Sequence, residues 1–359
     1  MNNKKVDNKK PYLKELLSID TLNIELDSIS LDVYEQGTCI FEYNNSILFA
    51  GYNKHSHSID WFDLIAQRII NHTFLERQGP NQIIGDIHGL FIHNMDSIFI
   101  NDGLYLSIID VDGKLKLKIR NEFPTEFGMA SLTNSATSKL YFYAKNNSII
   151  GKAFIGTSKQ LDKTPLFLMY NLKNNNCELI FSPISEYYMK YSGFNEWINV
   201  TYKGDSILYT FTSGPDIYIY DLRTNSGTIL NQKSNLSKNK MSSIYYDDPE
   251  ALWKHYIENP RFFQLNYLPE SKVYFRLHWK ESQYKISNDQ FITPYDKTII
   301  ISIFNEELSC IGEFELPLNT YLIGYEEITS IGLIINANNP KRKDYDYKKM
   351  ELHIISLKN

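Results

Sequence analysis

Cysteine is scarce in this chain: Cys39, Cys177 and Cys310 are the only three in 359 residues, far apart and odd in number. No Cys-x-x-Cys pair occurs, so neither a zinc site nor a disulfide framework is indicated. Each sits in a strand-like run and reads as a small buried hydrophobe. Basic residues are not in excess, with 37 Lys and Arg against 42 Asp and Glu for a net charge of −5, and they form no stripe. Nucleic acid is therefore not an expected partner. No window holds the roughly 18 consecutive apolar residues of a membrane helix, and residues 1–10 are polar and basic with no apolar signal core. That start fits either a cytosolic protein or a mature segment whose leader has been removed. A polar Asn/Lys/Asp tether suits the second reading, with 1–20 as a flexible tether, 11–18 carrying a short helical signal, and 21–359 as one domain. No Pro/Gly/Ser-rich linker divides the chain. Gly-x-Ser-x-Gly, His-Glu-x-x-His and P-loop motifs are all missing, and no cofactor is called for.

What is abundant is aromatic and β-branched. Aromatics make up 14% of the chain, with 26 Tyr and 20 Phe, a bias toward pleated sheet. The stretch 79–117 reads as four short strands, at 87–93, 97–101, 105–110 and 114–119, with Asn94-Met95-Asp96, Asp102-Gly103 and Asp112-Gly113 as turns. A lone four-stranded sheet has two open edges, so the unit must repeat around an axis or pack on another sheet. Further four-strand units follow at 38–75, 128–182, 197–231 and 262–315, and three more strands lie at 321–357. Their second strands align as Ser46-Ile-Leu-Phe49, Ser97-Ile-Phe99, Ser138-Lys-Leu-Tyr141, Ser206-Ile-Leu-Tyr209, Ser271-Lys-Val-Tyr274 and Ser330-Ile-Gly-Leu333, spaced 51, 41, 68, 65 and 59 residues apart. Four strands per repeat at this spacing predicts an all-β, six-bladed β-propeller with four-stranded antiparallel blades. The last unit lacks a strand and the N-terminal region has one to spare, so 22–34 pairs with 350–357 and closes the ring. Asp248-Pro249-Glu250 predicts an insertion helix over 249–258, ending before Asn259-Pro260.

Arg77-Gln78-Gly79-Pro80-Asn81, followed by a strand and Asp96-Ser97-Ile98-Phe99, resembles the inter-blade motif of TolB-like six-bladed propellers. More closely, the chain is similar over most of 20–358 to the bacterial envelope lipoproteins grouped as domain of unknown function 4221. Asp216-Ile-Tyr-Ile-Tyr-Asp221-Leu222 and Ser271-Lys-Val-Tyr274-Phe275-Arg276 look like that family's later blades. The resemblance implies a secreted protein in the cell envelope or outside the cell, lipid-anchored at its N-terminus. This sequence itself has neither leader nor lipobox cysteine. The resemblance carries no catalytic residues to transfer.

In a propeller, the strand 2–3 hairpins and the blade-to-blade connections open on one face. These segments are long here, at 145–163, 183–196, 232–261, 280–296 and 337–349, while the opposite turns are short. Insertions on one face mark a binding face. Arg77, Trp197, Arg261 and Arg276 lie at or near blade starts or this face, where Arg forks and Trp planes suit carboxylate, sugar or peptide ligands. The competing reading is a cation packed on aromatic blade surface. His55 and His57 form a His-x-His pair in a hairpin, which can bind a metal or simply be solvated. Asp110, Asp221 and Asn305 end third strands and read as turn residues. The expected function is a binding module for a peptide, glycan or protein partner on the long-loop face. The alternative is a propeller-type hydrolase or lyase with dispersed catalytic residues.

Overall fold

The computed structural model describes residues 17–358 apart from 127, 134, 136, 137, 156–164, 185–197, 243–247, 288 and 289. Blade 1 comprises Thr38–Tyr43, Ser46–Asn53, Ser58–Asp63 and Arg68–Phe74; blade 2 comprises Gly89–Asn94, Ser97–Asn101, Tyr105–Ile109 and Leu115–Arg120. Blade 4 is built from Ile198–Lys203, Ser206–Phe211, Ile217–Asp221 and Ser226–Leu230, and blade 5 from Arg261–Leu268, Val273–Trp279, Ile299–Phe304 and Cys310–Glu315. First strands contact one another from blade to blade, so they lie innermost around the axis of a six-bladed propeller. Apolar residues on the facing blade surfaces form the cores. One cluster joins Trp61, Ile59 and Ala50 of blade 1 to Ile98 and Ile100 of blade 2, all fully buried.

Turn chemistry sets the strand ends. Asn44 and Asn45 both take positive φ (49° and 62°) between the first two strands of blade 1, the geometry that matches the twist of a tight hairpin. Third strands end on a side chain that binds the next turn's amides. Asp63 Oδ1 accepts from Ile65 and Ala66 N–H at 3.0 and 2.9 Å, and Asp221 Oδ1 from Arg223 and Thr224 at 2.8 and 3.0 Å. Asp110 and Asn305 do the same for Lys114 and Ser309, at 2.9 and 2.8 Å. The three cysteines are free thiols.

Blade 3 differs from expectation. Its second strand is Ser148–Ile155, not 139–144. The innermost strand is instead split: Gly128–Thr133 pairs with one half of Ser148–Ile155 and Tyr141–Tyr143 with the other. Phe167–Asn171 and Cys177–Ile180 complete the blade, and Phe123–Thr125 is an added strand at its inner edge. Replacing Ser138 with Ser148 in the repeat makes the flanking intervals 51 and 58 residues. Asn147, at φ 55°, closes a tight hairpin just ahead of Ser148, as Asn44-Asn45 does ahead of Ser46.

Blade 6 holds Leu322–Thr329, Gly332–Asn336 and Lys349–Leu357, and the N-terminal strand completes it. That strand is Leu17–Glu25, paired from Leu17↔Leu357 to Glu25↔Lys349, so closure uses 17–25 in place of 22–34. The chain leaves the sheet at Asp27, whose Oδ1 accepts from Ile29 and Ser30 N–H at 2.9 and 2.8 Å. This local turn competes with further ladder pairing and wins. The segment beyond it is pinned to blade 1. Tyr34 lies flat on Gly51, where a Cβ would come within 2.5 Å of the ring, and its hydroxyl donates to Asp60 Oδ2 at 2.7 Å. Asp60 is fully buried and also accepts from Asn53 at 2.9 Å, Ser58 at 2.7 Å and His72 Nδ1 at 2.9 Å. His72 Nε2 reaches Asp27 at 2.9 Å. A ring whose two nitrogens both face carboxylates is an imidazolium. Burial opposes that charge, but the bonds to Asp60 and Asp27 outweigh it and raise the His72 pKa.

Candidate functional site at the funnel mouth

A cavity of about 620 Å³ opens on the long-loop face, and all six blades contribute to it. Its most developed wall comes from blade 5 and the segment ahead of it. The helix Pro249–Glu258 starts at Asp248, whose carboxylate accepts from Glu250 N–H at 2.9 Å, with Pro249 in the first turn. His255 and Ile257 are buried beneath it, while Trp253 and Tyr256, three residues apart on one side of the helix, line the cavity. The helix C-terminus is tied down by three groups. Lys297 Nζ donates to the Ile257 carbonyl at 2.6 Å, Ser282 N–H to the same carbonyl at 3.1 Å, and Asn259 Nδ2 to the His255 carbonyl at 2.9 Å. Burial lowers the Lys297 pKa to about 7.

Arg261 begins the innermost strand of blade 5 and sits opposite Trp279 in register. Its guanidinium lies 4.5 Å from the Tyr256 ring centre and 5.5 Å from that of Trp279. Trp279 meets Phe263 edge-on at 5.4 Å, and Trp253 meets Tyr256 edge-on at 6.1 Å. The result is one continuous wall of rings with a cation at its centre. Tyr295 extends it on the turn Pro294–Asp296, which Asn339 of the blade 6 loop holds by its Tyr295 carbonyl at 2.9 Å. Tyr321 closes the far side, its hydroxyl 2.9 Å from His353 Nδ1 and its pKa pushed up to about 12 by burial. Trp253 and Tyr295 keep 53% and 42% of their surface exposed, so their ring faces are open to a ligand. Asn199, Thr212, Ser135 and His88 supply polar groups from blades 4, 3 and 2, and Glu35 a carboxylate from the segment ahead of blade 1.

Below the mouth the axis is tied across. Lys139 of blade 3 reaches over to Glu327 on the innermost strand of blade 6, the opposite blade, in a hydrogen-bonded ion pair. Thr38 of blade 1 donates to the same Glu327 oxygen at 3.4 Å, and Ser138 bridges to Val200 of blade 4. Burial lowers the Lys139 pKa to about 8.

Of the residues singled out from sequence, Arg261 lies in this wall. Arg276, in the second strand of blade 5, is fully buried; its guanidinium lies 5.1 and 4.9 Å from the Phe262 and Phe304 rings and it donates to the Pro215 carbonyl at 2.5 Å. Burial lowers its pKa to about 10, and it packs blade 5 against the blade 4 hairpin, away from the cavity. Arg77 is exposed on the connection between blades 1 and 2, reaching the Ile84 carbonyl at 3.4 Å, and does not line the mouth. Trp197 lies outside the described residues. His55 is exposed, while His57 is buried with both nitrogens engaged, Nδ1 by the Tyr52 hydroxyl at 2.9 Å and Nε2 by the Ile83 carbonyl at 2.7 Å. No group of three or more His, Cys, Asp or Glu able to share a metal ion occurs among the described residues. Sequence reading passed over Trp253, Tyr256, Trp279, Tyr295 and Tyr321. The available signal was the placing of Trp253, Tyr256 and Tyr295 in the long segments 232–261 and 280–296 of the binding face.

The fold and its mouth define a six-bladed β-propeller with an aromatic-walled funnel. The chain belongs to the family defined by the domain of unknown function 4221 (DUF4221), whose sequence profile matches residues 14–315. A DUF4221 member from Bacteroides vulgatus, known from a crystal structure, matches with a TM-score of 0.81 at 20% identity, over 96% of this chain and 99% of its own. A Bacteroides fragilis protein described by name as exported matches with a TM-score of 0.60 at 10% identity, over 96% of each chain. At these identities the likeness is one of fold. No protein of curated function matches the sequence.

Proposed function

We propose that the protein is an exported binding module, held at the cell envelope, that takes a glycan in its funnel mouth. The observation that carries the reading is the wall of Trp253, Tyr256 and Trp279, extended by Tyr295, in which Trp253 and Tyr295 keep their rings exposed beside polar side chains. Flat rings suit the C–H faces of sugars, and the amide, hydroxyl and imidazole groups of Asn199, Thr212, Ser135 and His88 suit sugar hydroxyls. A cationic ligand is disfavoured because Arg261 already occupies the ring faces that would hold it. A peptide would draw on backbone pairing along a strand edge, whereas ring faces and side-chain donors dominate this cavity. Export and the envelope location draw support from the name of the Bacteroides fragilis relative and from the family resemblance.

The test is titration calorimetry of the purified protein against oligosaccharides of several linkages, with a tryptic peptide mixture as the comparison. A glycan should bind, and Trp279→Ala should weaken it by about tenfold or more, as truncation of a central aromatic anchor does. Binding of peptides with no glycan bound, or glycan affinity unchanged in Trp279→Ala, would sink the reading. Fractionation of cells expressing the full-length gene product checks the location, and a wholly cytosolic pool would count against it.

A further inference from the structure

We infer that the funnel is blind and receives its ligand end-on, so that it binds the end of a glycan chain and not an internal stretch. This rests on the glycan reading of the mouth. The evidence lies beneath the cavity. Leu322, Ile323 and Gly324 line the mouth, and Glu327 lies deeper on the same innermost strand: Leu322 pairs with Asn336 and Glu327 with Ile334, two positions on, so across this bulge the strand descends roughly 7 Å. There the Lys139–Glu327 pair spans opposite blades, with Thr38 bonded to the same carboxylate and Ser138 bridged to Val200. Blades 1, 3, 4 and 6 are thus joined on the axis at one level.

The gap beside the pair is also shut. His88 and Ser135, which face the mouth, border a space shared with Thr38, Leu90 and Lys139 that has no room for a water molecule. Opening this floor would separate two partly buried, oppositely charged groups whose pairing ties blade 3 to blade 6. A chain entering the mouth therefore cannot thread the ring. An internal segment could only lie across the rim, where Trp253 and Tyr295 are exposed, and would not reach Phe263 and Tyr321. Both of these rings line the inner part of the cavity and are nearly fully buried.

The experiment compares intact and partially acid-hydrolysed amylose, xylan, mannan, chitin and pectin, immobilised at equal mass, as capture surfaces for the wild-type protein. For the polysaccharide that is bound, shortening the mean chain about tenfold should raise the protein retained per gram about tenfold, because sites then scale with chain ends. Borohydride reduction of the hemiacetal end tells the two ends apart: capture is lost where that end is recognised and kept where the opposite end is. Retention that tracks mass and ignores chain length overturns end-on binding while leaving the glycan reading in place. Capture of none of the five polysaccharides in either form overturns the glycan reading and this inference with it.

Discussion

Two polar and aromatic assemblies in this propeller are built from similar residues and behave differently. The node around Asp60 in blade 1 gathers Tyr34, Asn53, Ser58, His72 and Asp27, and the carboxylate of Asp60 accepts four hydrogen bonds with no surface exposed. The wall at blade 5 gathers Trp253, Tyr256, Arg261 and Trp279 through ring contacts and leaves half of Trp253 exposed. Saturated bonding at full burial holds a structure together, since each group removed strands several others. Open ring faces above a cavity contribute little to folding and are available for recognition. The same contrast separates Arg276 from Arg261: one is locked between blades, the other stacked in the mouth.

The comparison can be broken most directly at Asp60. Asp60→Ala strands the Tyr34 hydroxyl, the Asn53 amide and the His72 imidazolium, and should cost about 3–5 kcal/mol of stability, as loss of one partner from a buried charged network does. The denaturant midpoint measures it. A cost below about 1 kcal/mol would mean that the node does not secure ring closure. Trp253→Ala should move that midpoint by no more than about 0.5 kcal/mol, while weakening ligand binding about tenfold. A large loss of stability there would make the wall a structural element and erase the contrast.

The pH dependence sharpens the difference, because the two regions respond with opposite sign. His72 has a folded pKa raised above its unfolded value near 6.5, so its contribution is full below about 6.5 and lost as pH rises through the folded value. Lys297 beneath the aromatic helix has a folded pKa of about 7, lowered by burial from an unfolded value near 10.4. Its contribution is full above about 10.4 and is lost as pH falls toward 7, since the unfolded chain takes up the proton first. Urea midpoints between pH 5 and 10 should show the alkaline rise flattened in Lys297→Met and the decline above pH 6.5 flattened in His72→Gln. Unchanged profiles in both variants would remove these two groups as the source. The smallest effect is expected at His55. His55→Ala should alter stability by less than about 0.5 kcal/mol, and zinc or a chelator should leave its melting temperature where it is in the parent protein.

Much of the fold was legible in local chemistry. Asn44-Asn45 and the Asp and Asn residues that end third strands act within a few residues of themselves, so their patterns mark strand ends without knowledge of the fold. The repeat misplaced one strand in blade 3 because Ser138-Lys-Leu-Tyr141 imitates the pattern. The Asn147 turn before Ser148 was the better local signal. The closing strand was read too far along because 29–33 continues the alternation, although Asp27 turns the chain out of the sheet.

What the sequence by itself determined is the set of strands and turns, and through the unpaired edges of each four-stranded unit, the need to close a ring. The tertiary structure alone decided which residues share a site. Lys139 and Glu327 are 188 positions apart and meet only because blades 3 and 6 face each other across the axis. Arg261 stacks beside Trp279 because strand register places them opposite, and on Tyr256 because Lys297, 40 positions away from Ile257, draws the helix down onto blade 5. Such contacts depend on the curvature and order of whole blades. Local pattern carries no record of them, because the energy that selects them comes from packing between blades and not from neighbours in the chain.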